Sequence, residues 1–129
     1  MKKIVLGVLL SLAFAAPAAA KETKLSESQI RELFVGQTIK GIHYGKETRQ
    51  YFSKSGLTLW VSEGHETLAE GRYEIKNGQY CSSWTGLWNK EKWGCLDIVE
   101  DKDQGLYYFI GKGFRAPFVR GGSLLPQFD

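Results

Sequence analysis

The stretch that decides the fold is Gly78-Gln79-Tyr80-Cys81-Ser82-Ser83-Trp84-Thr85-Gly86-Leu87-Trp88-Asn89-Lys90-Glu91-Lys92-Trp93-Gly94-Cys95-Leu96-Asp97-Ile98. It holds both cysteines of the chain and three of its four tryptophans. Residues 79–84 and 93–98 read as the two arms of an antiparallel hairpin. In that register Cys81 stands opposite Cys95 and Tyr80 opposite Leu96, with an aromatic-rich loop at the tip. A Cys81–Cys95 disulfide closing a loop of this size restricts the unfolded chain by about 3 kcal/mol. That is a large share of the ~5–15 kcal/mol that holds a domain folded.

The start of the chain supports an oxidised pair. Met1-Lys2-Lys3 is a short positive region, Ile4 to Phe14 is an apolar run, and Ala18-Ala19-Ala20 offers small residues for cleavage before Lys21. This is the pattern of a secretory signal, so residues 1–20 stand outside the fold. No cysteine lies near the cleavage point for a lipid anchor, and no later apolar run approaches the roughly 20 residues of a membrane helix. The mature chain is expected in the periplasm or secreted, where two cysteines pair. There is no Cys-x-x-Cys for a redox pair. Two thiols without a nearby histidine do not make a zinc site, so no metal is expected.

Removing residues 1–20 leaves a chain sized for one domain with a modest core. Lys2 and Lys3 leave with the signal, and the remaining 15 basic residues nearly balance 14 acidic ones. Without a basic field, nucleic acid is not an expected partner. Abundant aromatics and glycines with short apolar runs favour an all-β domain.

Lys21 to Leu25 reads as a loose polar leader. Ser26-Glu27-Ser28-Gln29 fits a capped helix start, and Ile30, Leu33 and Phe34 share one face of a short helix ending near Gly36. From Gln37 the apolar period changes to two. Strands are expected over 38–44, 48–53 and 57–61, the last with Leu57, Leu59 and Val61 on one face. The alternation is cleanest over 69–76, where Tyr73 and Ile75 oppose Arg72, Glu74 and Lys76. Asn77-Gly78 signals a type I′ hairpin turn into the Cys81 strand. After Cys95 the partner strand continues to Val99, a charged turn follows, and 106–110 is read as the final strand.

Sequential hairpins of this kind build an up-and-down meander. We therefore expect a small antiparallel barrel of about eight strands, lipocalin- or avidin-like, capped by the N-terminal helix. A two-sheet sandwich is the alternative. The whole of 21–129 forms one domain, with 112–129 expected to be irregular because Pro117 argues against a central strand.

Catalytic signals are sparse. His43 and His65 are the only histidines. His65 sits in a loop with Glu63 and Glu66, and His43 sits beside Tyr44 on a strand, where it reads as a structural residue before a base or haem ligand. Ser82-Ser83 lacks a nucleophile signature. Asp97 and Glu100 fall on opposite faces of their strand. No catalytic residue and no cofactor is assigned.

Binding has more behind it. Trp84, Trp88 and Trp93 offer flat aromatic faces beside Asn89, Lys90 and Lys92, suited to sugars, lipids or a protein groove. The alternative for Trp84 and Trp93 is packing at one end of the barrel. A second candidate surface is Lys112, Phe114, Arg115, Phe118 and Arg120, suited to an anionic partner. Its alternative is a solvated terminal loop.

Gly36-x-Thr38, Tyr51-Phe52, Gly56, Gly71-x-Tyr73, Cys81-x-x-Trp84 and Cys95 together resemble a family of small exported proteobacterial proteins of unassigned function. The likeness covers roughly residues 25–110, and its motifs are structural. The chain is also distantly similar to periplasmic inhibitors of peptidoglycan hydrolases, although no inhibitory motif can be matched residue by residue. Three functions follow as expectations. The first is a non-enzymatic periplasmic binding protein at the cell envelope, holding a small hydrophobic or glycan ligand or a partner protein. The second is an inhibitor of lysozyme or another peptidoglycan hydrolase. The third is a small enzyme using His43 or His65.

Overall fold

The computed structural model describes residues 21–64, 67–84 and 92–122. The expected signal segment, His65, Trp88 and the tail beyond residue 122 lie outside the described residues. The chain runs β1 (Glu22–Lys24), α1 (Glu27–Phe34), β2 (Thr38–His43), β3 (Lys46–Phe52), β4 (Leu57–Ser62), β5 (Ala69–Lys76), β6 (Gln79–Trp84), β7 (Gly94–Asp101), β8 (Leu106–Gly111) and β9 (Phe114–Arg120). Strands β2 to β9 pair in sequence order, all antiparallel, and β9 returns to β2 to close an eight-stranded barrel.

The hairpin that opened the reading forms as expected. Tyr80 pairs with Leu96, Cys81 with Cys95 and Ser82 with Gly94, and Cys81 and Cys95 are joined. Asn77 and Gly78 both adopt positive φ, 53° and 72°, as a type I′ turn requires.

Two expectations are corrected. The leader is not loose: Glu22, Thr23 and Lys24 pair with Asp101, Glu100 and Val99. Strand β7 outruns β6, and β1 takes up the edge that β6 leaves, which also buries Leu25. The segment after Ile110 is not irregular either, because 114–120 is β9. Pro117 is tolerated there because pairing with β2 begins only at Phe118, opposite Gly41, and runs to Arg120. The imino nitrogen, which has no hydrogen to donate, sits where that ladder has not yet begun.

The base of the barrel is filled. Ser26 caps α1 with a reciprocal pair of bonds: its Oγ accepts from the Gln29 N–H, and its own N–H donates to Gln29 Oε1. The buried face, Ile30, Leu33 and Phe34, enters the barrel. Phe34 stacks on Phe52 at 4.3 Å between ring centroids and meets the edge of Tyr80 at 5.3 Å. Phe109 and Phe118 complete this aromatic plug. Polar contacts fix the helix to the β5–β6 turn. Arg31 donates to the Ile75 carbonyl (2.7 Å), Lys24 Nζ to the Gly78 carbonyl (3.0 Å), and the Gly78 N–H to Glu27 Oε1 (3.3 Å).

Side-chain alternation then sets the interior of the other half. Opposed residues on paired strands share a face, so Phe52 with Thr58, Gln50 with Trp60 and Thr48 with Ser62 point inward. Leu57 and Leu59 point outward, opposite Arg72 and Glu70. The apolar line of β4 is therefore not its inner line, and the upper barrel is lined by a mixture of aromatic and small polar groups.

Candidate functional site: the calyx at the barrel mouth

Above the Phe34 plug the barrel is open, with a cavity of about 510 Å³. Its floor is Tyr80, Phe109 and Leu96, its walls Trp60, Trp84 and Phe114, and its rim His43, Tyr44 and Lys46. Small polar side chains, Gln50, Ser62 and Ser82, interrupt the aromatic wall.

The polar groups form a connected chain. Thr58 Oγ1 donates its only hydrogen to the Tyr51 carbonyl (2.9 Å). It must therefore accept from Gln50, which fixes the amide: Gln50 Nε2 donates to Thr58 Oγ1 (2.9 Å) and to the Tyr80 hydroxyl (3.1 Å). Both amide hydrogens are committed, so the carbonyl oxygen is what Gln50 can offer to the cavity. Tyr80 bonds in turn with Ser82, which accepts from Trp84 Nε1 at 3.0 Å. Burial pushes the Tyr80 phenol up to about 12, so it stays a neutral hydrogen-bonding group.

Trp84 is only 3% exposed. Its ring lies against Gly71, where a Cβ would come within 2.7 Å of it, so the glycine makes room for the indole. Tyr44 is the opposite case, 94% exposed in a left-handed conformation (φ 50°) at the β2–β3 turn. Bulky residues rarely adopt that conformation.

The sequence-named residues divide. Trp84 and Phe114 meet in the calyx. Lys112 lies in the β8–β9 turn beside Phe114. Trp93 is 45% exposed on the outside, its ring 5.8 Å from Lys76 Nζ. Arg115 also faces outward, paired with Glu22 and lying 3.9 Å over the Tyr108 ring. Arg120 ends β9 at the base, far along the barrel from the mouth. The basic cluster expected over 112–120 is thus spread over the mouth, the outer wall and the base. Trp60, Tyr80, Lys46 and Gln50 were missed. The signal for Lys46, Gln50 and Trp60 was the shared parity of Lys46, Thr48, Gln50 and Phe52 on one strand and of Thr58, Trp60 and Ser62 on the next.

His43 belongs to the rim, with ring contacts to Phe114 at 5.3 Å and Trp60 at 6.2 Å. Burial lowers its pKa. We expect its ring protons to titrate below the ~6.5 of a free histidine in an NMR pH series. A lowered folded-state value means that the unfolded chain takes up the proton first. Stability should then fall as pH drops from about 7 toward 5, and His43→Phe should flatten that slope in urea titrations. Among the described residues no group of three His, Cys, Asp or Glu is placed to hold a metal.

A closed base, an up-and-down antiparallel wall and an open, aromatic-lined mouth define the class: a calyx-type eight-stranded barrel. No family model, curated protein or solved structure matches the chain.

Proposed function

We propose that this is a non-enzymatic binding protein of the periplasm, carrying one small, largely apolar ligand in the calyx. The observation that supports this most is the cavity of about 510 Å³ above a filled base. Its size falls in the range of small-molecule sites, and few polar groups among apolar walls is their usual make-up. Trp60, Trp84 and Phe114 supply flat faces for a planar or chain-like body. Gln50 supplies an acceptor for one N–H or O–H of the ligand. The disulfide, the signal-like start and the resemblance to small exported proteins all support the same compartment.

The fluorescent apolar probe phenylnaphthylamine tests the site. The mature protein should brighten and blue-shift it with one-to-one stoichiometry. Ser62→Phe, which places a ring in the cavity from an inward position on β4, should abolish binding while leaving the circular dichroism spectrum unchanged. Native mass spectrometry of protein purified from periplasm should show a bound small molecule that Ser62→Phe lacks. The hydrolase-inhibitor reading relies on Trp88, outside the described residues, and on Arg115, which Glu22 already engages. A lysozyme turbidity assay showing inhibition by the Ser62→Phe variant, with no probe bound by the native protein, would replace the carrier reading with that one.

A further inference from the structure

The rim of the calyx is chemically one-sided. Lys46 pairs with His43 across the β2–β3 turn, and both side chains line the cavity. Lys46 shares its strand face with Thr48, Gln50 and Phe52, so its ammonium stands above the same shaft that Gln50 lines below. Lys46 makes no ion pair among the described residues, and what sets it apart from other such lysines is that it is the one lysine on the described lining of the cavity. No Asp or Glu lines the cavity among the described residues. The other ionisable side chains on the described lining are His43, Tyr44 and Tyr80. Burial favours the neutral form of His43, by lowering its pKa, and of Tyr80, by raising it.

A cation with no ion pair among the described residues, standing at the mouth of an apolar shaft, selects a ligand by charge as well as by shape. We propose that the calyx takes an amphipathic monoanion, its apolar body between Trp60, Trp84 and Phe114 and its anionic head at the rim on Lys46. The proposal rests on the carrier reading above and names its ligand class. Residues 46 and 50 are separated by about 13 Å along an extended strand, and because barrel strands tilt from the axis this is an upper bound on the length of body between the rim and Gln50. A neutral ligand of equal length would gain no charge contact from the exposed ammonium. A cationic one would meet it as a like charge in a site walled by low-dielectric groups.

Displacement of phenylnaphthylamine by decanoate and by decanol, an anion and an alcohol of the same chain length, tests this. Lys46→Gln should weaken decanoate about five-fold, the scale of a partly exposed charge contact, and leave decanol unchanged. Raising the salt concentration should weaken decanoate alone. Lys46 is exposed on a turn-proximal strand end, so the variant should fold, and an unchanged circular dichroism spectrum will report that it has. If decanoate and decanol respond equally to Lys46→Gln, the monoanion assignment falls while the carrier reading stands. If the native protein binds neither the probe nor either competitor, both fall together.

Discussion

Phe34→Ala should lower the unfolding free energy by about 3–5 kcal/mol, the cost of removing a fully buried phenylalanine from a packed site. Few changes to a domain of this size would be larger, since the whole stability of such a domain is ~5–15 kcal/mol. The reason is position. Phe34 is wholly buried and ties the helix to four rings from β3, β6, β8 and β9. Its loss detaches α1 from the barrel and leaves a void beneath the Tyr80 floor. Urea denaturation with a near-ultraviolet circular dichroism readout measures both effects, because the tyrosine and tryptophan signals above the plug should lose intensity. A loss below about 0.5 kcal/mol, within the range of an ordinary surface substitution, would mean that α1 only lies against the barrel.

The second large effect concerns the disulfide. Replacing both cysteines, Cys81→Ser with Cys95→Ser, should cost about 3 kcal/mol by the loop-closure argument. The topology says why the bridge lies where it does. Because β1 occupies the far half of the β7 edge, β6 and β7 are joined by only three residue pairs, whereas β5 and β6 share six. Cys81 and Cys95 are the middle pair of that short ladder. Hydrogen exchange in the double serine variant should therefore show protection lost first along β6 and the upper part of β7. The β1–β7 pairs at the base should stay protected. Unchanged exchange at β6 would show that three pairs hold this seam unaided.

How much of this was legible follows from what kind of rule each feature obeys. The Cys81–Cys95 register, the Asn77–Gly78 turn and the Ser26 cap are local: a few neighbouring residues settle them, and the structure bears each of them out. The barrel was legible from the succession of hairpins. Strand β1 was not, because its residues are polar and it forms only on an edge that β7 happens to leave free. Strand β9 was misread because the rule against a central proline is about donors. Pro117 lies just short of the first residue that pairs with β2, a fact of register that sequence does not carry. The candidate site shows the same division. Trp84 and Phe114 stood out as aromatics. The polar half of the calyx did not, because interior Gln50, Ser62 and Ser82 reverse the usual equation of inward with apolar. What makes them interior is the cross-strand pairing of β3 with β4 and β5 with β6.

The seam between β2 and β9 carries a consequence of its own. It too has only three pairs, joining residues 39–41 to residues 118–120, and no covalent bond reinforces it. The wall is thus sealed by segments from opposite ends of the domain, a contact of high sequence separation whose closing entropy must be met before any of its bonds form. Until β9 docks, β2 and β8 are both raw edges with main-chain donors and acceptors turned outward, the template for pairing with another molecule. The last strand therefore does more than complete the container: it removes both raw edges of a curved ribbon at one stroke.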